Sequence, residues 1–361
     1  MTVLGIESSC DDTAAAVIRA PAHGQAEVLS NVTLAQYDRH AAYGGVVPEI
    51  AARAHVERID GVIAEAMAQS GRFYADLDAI AATAGPGLIG GVMVGLTAAK
   101  AIAISHGKTL IPVNHLEAHA LSARMTEDVA FPYLLLLISG GHTQLIAVDG
   151  IGRYRRLGTT IDDAAGEAFD KSAKLLGLGQ PGGPKIEAAA RSGRADRYDF
   201  PKPLAKREGC DFSLSGLKTA LRLEAEAIAN PRPADIADLA ASFQAAIAAH
   251  LADRTGRAMD MFESSGATST LVVAGGVAAN AAIRERLDAL VRDRGWRLVA
   301  PPAKYCTDNG AMVAWAGIER FRAGLAPTFK EALAFAPRAR WPLAAPIPGH
   351  EHGGGKKGPK A

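Results

Sequence analysis

The sequence is poor in several things, and each shortage closes off a class of protein. It has only three cysteines, Cys10, Cys210 and Cys306, far apart and in no C-x-x-C pair. An odd, scattered set cannot staple a disulfide framework and points to a reducing compartment. Charge of one sign is missing too: 39 basic against 38 acidic residues leave a net charge of +1, which excludes a globally electropositive nucleic-acid binder but leaves room for local basic patches. Long apolar runs are absent. The longest, Ala84 to Ala99, is rich in glycine and shorter than a typical membrane span. The opening Met1-Thr-Val-Leu-Gly-Ile-Glu7 lacks the basic region of a signal peptide. Together these readings predict a cytoplasmic protein with no membrane association.

What is present suits a large α/β protein. The chain has 361 residues, enough for two domains, and 48% of them are hydrophobic, enough for a sizeable core. Val3–Ile6, the polar stretch Glu7–Thr13 and Ala14–Ile18 read as strand, turn and strand. Tyr133–Ile138, Ser139–Thr143 and Gln144–Val148 repeat the plan. A second pair of echoes follows. Ile80–Thr83 leads through a glycine loop into a helical run to about Ser105, and Leu271–Ala274 leads through Gly275-Gly-Val-Ala-Ala-Asn280 into a helix through Leu290. The pattern predicts a duplicated α/β fold of two lobes with a cleft between them. The first lobe is expected over 1–130, the second over 131–340 with a final helix returning to the first, and a disordered tail over 341–361. Ala188–Cys210 reads as a loop, and Pro233–Glu263 as one or two helices.

His115-Leu-Glu-Ala-His119 carries the sharpest chemistry. With about 3.6 residues per turn, the two imidazoles fall on one helix face and can share one divalent metal. Glu117 points elsewhere, unlike the glutamate of H-E-x-x-H, which argues against a metalloprotease. An isolated H-x-x-x-H is more often a pair of half-buried polar residues, so the surroundings decide. Asp308 is either an N-cap aspartate or the oxygen ligand that completes a two-histidine, one-carboxylate site. The turns at Ser8, Ser9 and Thr13, at Ser139–Thr143, and at Gly275 and Gly276 offer hydroxyls and backbone amides to an anion, and three in a duplicated frame favour phosphate binding.

These segments resemble the tRNA N6-adenosine threonylcarbamoyltransferase family. The resemblance runs from about Val3 to about Pro337. It is carried by Gly5-Ile-Glu-Ser-Ser-Cys-Asp-Asp-Thr13, Gly44–Arg53, Thr83–Gly90, Asn114–His119, Ile138–Thr143, Phe169–Gly177, Pro181–Pro184, Asp211–Lys218, Gly275–Asn280 and Thr307-Asp-Asn309. Departures are small: Asp12 stands where glutamate is frequent, and Gly179-Gln180 where a glycine–aromatic pair is common. The resemblance implies the two-lobed actin-like, sugar-kinase and heat-shock ATPase (ASKHA) fold. It implies one divalent metal per chain, Fe(2+) favoured and Zn(2+) the alternative, held by His115, His119 and Asp308. It implies threonylcarbamoyl-AMP bound by Leu137, Ile138, Ser139, Gly140, Gly141, Asp170, Gly183, Glu187 and Asn280. The threonylcarbamoyl group would pass to the N6 amine of the adenosine next to the anticodon, in tRNAs reading codons that begin with adenine.

Partners implied are the tRNA, a homologous non-catalytic protein (TsaB type) and a small ATPase (TsaE type). Asp11 is the preferred general base, with Glu117 the other candidate. Two basic clusters, Arg191–Arg207 and Arg153, Arg155 and Arg156, are candidate RNA phosphate contacts or simply solvated surface. Two further readings stay open: a small-molecule kinase, which needs no two-histidine clamp, and a non-catalytic nucleotide-binding module.

Overall fold

A computed structural model describes residues 1–22, 24–40, 43, 45–263 and 269–344. The tail expected to be disordered falls outside the described residues from 345 on, as do His350 and His352.

Among the described residues, apolar runs broken by small polar turns give ten strands in two five-stranded sheets. In the first, β1 (Thr2–Glu7) pairs antiparallel with β2 (Asp12–Arg19), and β2 with β3 (Glu27–Ala35). β4 (Ala79–Gly85) and β5 (Thr109–Asn114) add on the other side in parallel, giving the order β3-β2-β1-β4-β5. The second sheet repeats this with β6 (Tyr133–Ile138), β7 (Thr143–Gly150), β8 (Arg153–Thr159), β9 (Thr270–Ala274) and β10 (Arg297–Val299). Its order β10-β9-β6-β7-β8 is the same series, strand for strand, with the same parallel and antiparallel pairings. The duplication legible in the hairpins therefore extends to whole sheets.

Both faces of each sheet are covered at its centre, which is why the central strands read as nearly unbroken apolar runs, while the edge strands β3 and β8 do not. After a single turn, α1 (Tyr37–His40), come α2 (Pro48–Ser70) and α3 (Ile89–His106), which cover one face of the first sheet on Leu4, Ile6, Ala15 and Val17. The alternate residues Val3, Ala16 and Ile18 face α4 (His115–Leu121) and α10 (Gly310–Arg322). In the second lobe α5 (Ala165–Leu175), α6 (Gly182–Ala190), α7 (Ser215–Glu226), α8 (Pro233–Glu263) and α9 (Ala281–Asp293) enclose the larger core against Leu134, Leu136 and Ile138. Pro233–Glu263 is one helix of 31 residues. A short α11 (Phe329–Ala334) returns to β5.

α3 runs 18 residues and is long and apolar enough, by length and composition, to cross a membrane. It packs on α2 and β4 as a core helix of the first lobe.

α4 decides the geometry of everything that follows. All seven of its residues are buried. Ala118 and Leu121 enter the core of the first sheet, while Leu116 and Ala120 enter the core below the second. The helix is thus wedged between the lobes. α10 joins it through an interlock of glycines: a Cβ on Gly5 would lie 2.1 Å from the Gly310 carbonyl oxygen and 2.5 Å from the Ala314 nitrogen, and one on Gly310 would lie 2.4 Å from the Ala16 nitrogen. Backbone meets backbone here, so no side chain can yield. Gly5→Ala should lower stability by about 2–3 kcal/mol in denaturant titration, because overpacking outweighs the ~0.4–1 kcal/mol gained from a stiffer unfolded chain. An unchanged midpoint would refute the interlock.

Candidate metal and nucleotide site

β5 ends at Asn114, whose side-chain oxygen accepts the amides of Leu116 (2.9 Å) and Glu117 (3.3 Å) and so caps α4. The cap sets His115 at the first helical position and His119 one turn on. Their rings lie nearly perpendicular with centroids 4.8 Å apart. Asp308, in the turn before α10, meets both: its Oδ1 is 3.0 Å from His119 Nε2 and 3.6 Å from His115 Nε2. Asp308 does not cap the helix. Asn309 does, accepting the Met312 amide at 2.9 Å, which frees the aspartate to face the histidines.

The donor atoms of His115, His119 and Asp308 lie within 4.8 Å of one another, both histidines buried and Asp308 partly so. Two nitrogens and a carboxylate suit iron or zinc and leave coordination positions open. The electrostatics fit a cation as well. Burial alone would raise the Asp308 pKa, but His115 and His119 hold it well below the carboxylate range. Burial would lower that of His115, but Glu7 and Asp308 push it up to about 9. Burial, then Asp308, Asp11 and Glu7, push Asp12 up to about 8. His142 goes the other way, lowered to about 3 by burial and by the two histidines. Three buried atoms here, His119 Nδ1, His142 Nε2 and Asp12 Oδ1, have no hydrogen-bond partner. Such orphans are expensive unless something else fills the site. This group can bind a metal ion.

The turn at Glu7–Thr13 differs from the sequence reading. Ser8 donates to the Gly91 carbonyl (2.9 Å), Thr13 bonds His55 Nδ1 (2.8 Å), and Ser9 Oγ lies beside His115 Nδ1 (3.1 Å). Ser8 and Thr13 therefore position the site and do not offer themselves to an anion. Glu117 is also removed as a base, because it accepts from Tyr154 Oη (2.8 Å) and pairs with Arg320 (2.9 Å).

The turn of the second hairpin is more open. Gly140 and Gly141 have nothing within 4 Å of an added Cβ, and their amides donate to no described residue. Ser139 Oγ accepts the His142 amide at 3.2 Å, and Thr143 Oγ1 accepts that of Ala165 at 2.8 Å. Leu137 and Ile138 send their side chains into opposite cores, so only their backbone can reach a ligand. Gly275, at φ 94°, brings the third loop against the Ile138 carbonyl, where a Cβ would lie at 2.4 Å.

The remaining candidates gather at the α5–α6 junction and the start of α9. Asp170 Oδ1 accepts the Gly182 amide (2.7 Å), Glu187 Oε1 accepts that of Ala281 (3.0 Å), and Asn280 caps α9 while donating to Gln244 (2.8 Å). Gly183 has open space around it. The two lobes meet electrostatically: Asp11 helps burial raise the Asp170 pKa, and burial with Asp12, Asp11, Asp308 and Asp170 pushes Tyr37 up to about 12. Tyr37 and Glu7 belong to this cleft and neither was singled out as a site residue from the sequence, although Glu7 stands inside the Gly5–Thr13 motif.

The basic clusters divide. Arg155 pairs with Asp149 (2.7 Å), Arg153 reaches the Asp149 carbonyl, and Arg156 is half-buried. Arg194 pairs with Asp196, and Arg197 lies over Tyr198. Arg191, Lys202 and Lys206 keep free cationic ends among the described residues.

A family model described as tRNA N6-adenosine threonylcarbamoyltransferase matches residues 27–315. A protein of that name from Methylocapsa acidiphila is 58% identical over 354 residues, covering 98% of this chain and 99% of the relative. One from Rhizobium etli (strain CIAT 652) is 58% identical over 363 residues, covering 99% and 98%. Among solved structures, HypF of T. kodakarensis superposes with a TM-score of 0.59 at 17% identity, over 92% of this chain and 48% of that one. The activator of 2-hydroxyisocaproyl-CoA dehydratase from Clostridium difficile superposes at 0.51 with 13% identity, over 92% and 96%. At such identities the structural likeness speaks to fold alone, and it places the two duplicated sheets in the ASKHA fold.

Proposed function

Because the chain belongs to the tRNA N6-adenosine threonylcarbamoyltransferase family, we propose that its cleft holds threonylcarbamoyl-AMP beside a divalent metal and presents it to the tRNA. The activity is a transfer of the threonylcarbamoyl group to the N6 amine of a tRNA adenosine. The placement of that chemistry on these residues is our reading.

The observation that carries it is the cluster of His115, His119 and Asp308, close enough to His142 to lower its pKa, with the unpaired amides of Gly140 and Gly141 in the same turn as His142. The exocyclic amine of adenine is a weak nucleophile because its lone pair is shared with the ring, so the acyl group must arrive activated. A mixed anhydride with AMP supplies a good leaving group. Gly140 and Gly141 hold its phosphate through their amides. Ser139, Asp170, Gly183, Glu187 and Asn280 surround the nucleoside, and Leu137 and Ile138 contribute main chain. A metal on His115, His119 and Asp308, when bound, supplies a Lewis acid for the oxygens that gain charge. Fe(2+) is our choice, with Zn(2+) the alternative. Asp11, which Asp170 senses from the other lobe, takes the proton from the amine.

The adenosine is the one next to the anticodon, and Arg191, Lys202 and Lys206 steer the RNA backbone. A near-neutral chain leaves RNA binding to be shared, which supports a homologous partner of the TsaB type and a small ATPase of the TsaE type. Three free cysteines support a cytoplasmic location. The test is transfer of labelled threonine to tRNA in the presence of the adenylate-forming enzyme. Wild type incorporates label, and His115→Ala, with an unchanged circular dichroism spectrum, does not. Full incorporation by His115→Ala would overturn the metal assignment.

A further inference from the structure

One carboxylate behind the candidate ligands is fully buried and belongs to no assigned role. Glu7, the last residue of β1, is 0% exposed and is surrounded by donors. Its Oε1 accepts the Ser9 amide at 2.5 Å, and its Oε2 accepts Thr83 Oγ1–H at 2.6 Å and His115 Nδ1–H at 2.9 Å. An ionised carboxylate only accepts, so each partner must bring the hydrogen. That fixes the tautomer of His115. In the neutral form that can ligate a metal, Nδ1 keeps its proton and the lone pair is left on Nε2, the side facing Asp308. Ser9 Oγ, 3.1 Å from the same Nδ1, is left with a minor share of that hydrogen.

His119 is held differently. Its Nε2 faces Asp308, but its Nδ1 is buried with no partner. Two imidazoles one helical turn apart are therefore unequal: one is braced from behind by a carboxylate, the other is not. A carboxylate behind a ligating histidine fixes the ring and raises its basicity.

We propose that Glu7, anchored by Thr83, is the positioning residue of this site: it aims His115 Nε2 and sets how tightly the metal is held. The inference rests on the metal reading above. It also explains why a carboxylate from the β1 turn and a hydroxyl from β4 meet beneath α4.

The test is Zn(2+) binding to the metal-free full chain by competition with a chromophoric chelator, with Co(2+) absorption reporting coordination. Glu7→Gln should weaken Zn(2+) binding on the order of 10–100-fold and alter the Co(2+) spectrum. Thr83→Val, which loosens Glu7 without removing it, should weaken binding about 3–10-fold. Tyr154→Phe removes a hydrogen bond from Glu117 of the same helix without touching either histidine, and should leave affinity unchanged. Wild-type affinity in a folded Glu7→Gln protein overturns the proposal. If that variant does not fold, wild-type affinity in Thr83→Val, or an equal loss in Tyr154→Phe, overturns it. A wild-type chain that binds no Zn(2+) tightly removes the metal reading itself, a different result from binding that is insensitive to Glu7.

Discussion

Asp308→Asn is expected to lower threonylcarbamoyl transfer on the order of 10³-fold while the fold survives. The two halves of that expectation have separate causes. In the metal-free protein Asp308 accepts a hydrogen bond from His119 at 3.0 Å, and an asparagine oxygen can accept it equally. Asn309, not Asp308, caps α10, so the helix keeps its start. What asparagine cannot supply is the charge. The imidazoles keep Asp308 ionised against the pull of burial, and that charge is what two neutral imidazoles need to retain a divalent ion. Metal content and single-turnover transfer should fall together. Retention of metal with transfer above a tenth of wild type would sink the assignment.

The same pair makes the metal-free protein pH-sensitive in two directions. Asp308 has a depressed pKa, so its contribution is present above the ordinary carboxylate value and is lost as pH falls. His115 is raised from 6.5 to about 9, so its contribution is complete below 6.5 and is lost as pH rises through about 9. Thermal unfolding of metal-free Asp308→Asn should flatten on the acid side relative to wild type.

The parts of this site that could be read from the sequence are those with a local signature. H-x-x-x-H announces a shared helix face. Small polar residues between apolar runs announce hairpin turns, and the doubled pattern foretells the doubled sheet. What could not be read depends on partners far along the chain. Glu7 meets His115 across 108 positions and Thr83 across 76. Glu117 is claimed by Arg320 across 203. Asp308 and Asn309 are both good caps, and only the tertiary contact with α4 decides which does the capping. Ser8 and Thr13 looked like anion donors because the composition of a turn does not say which way its hydroxyls face. Leu137 and Ile138 belong to the second hairpin, yet strand alternation buries both side chains, so any role there is a backbone role.

The other large effect is expected far from the metal. Arg254, in the middle of α8, is 0% exposed, a rare state for an arginine. Its guanidinium donates to the carbonyls of Arg207 (3.0 Å), Gly209 (2.8 Å) and Leu204. Those carbonyls belong to the loop that carries Lys202 and Lys206. Leu204 sits at φ 54°, a left-handed conformation that a leucine adopts only when its surroundings impose it. The loop has a few apolar anchors, such as Cys210, and is otherwise polar. Its path is therefore set by the buried cation together with Arg257, which donates to the Arg207 and Ala205 carbonyls. Arg254→Ala leaves the Gly209 carbonyl without a donor, while Arg207 keeps Arg257 and Leu204 keeps the Arg207 amide, and should cost about 1–3 kcal/mol of stability. Arg254→Lys restores charge but not the planar fork that spans separate carbonyls, so it should recover only part of the loss. Limited proteolysis should cut both variants between residues 201 and 209 before wild type is cut. If Arg254→Lys matches wild type in denaturant midpoint and in protease resistance, charge alone is enough and the fork is not what orders the loop. With the loop loosened, tRNA affinity should fall and Zn(2+) affinity should not, because Arg254 touches neither α4 nor the turn that holds Asp308.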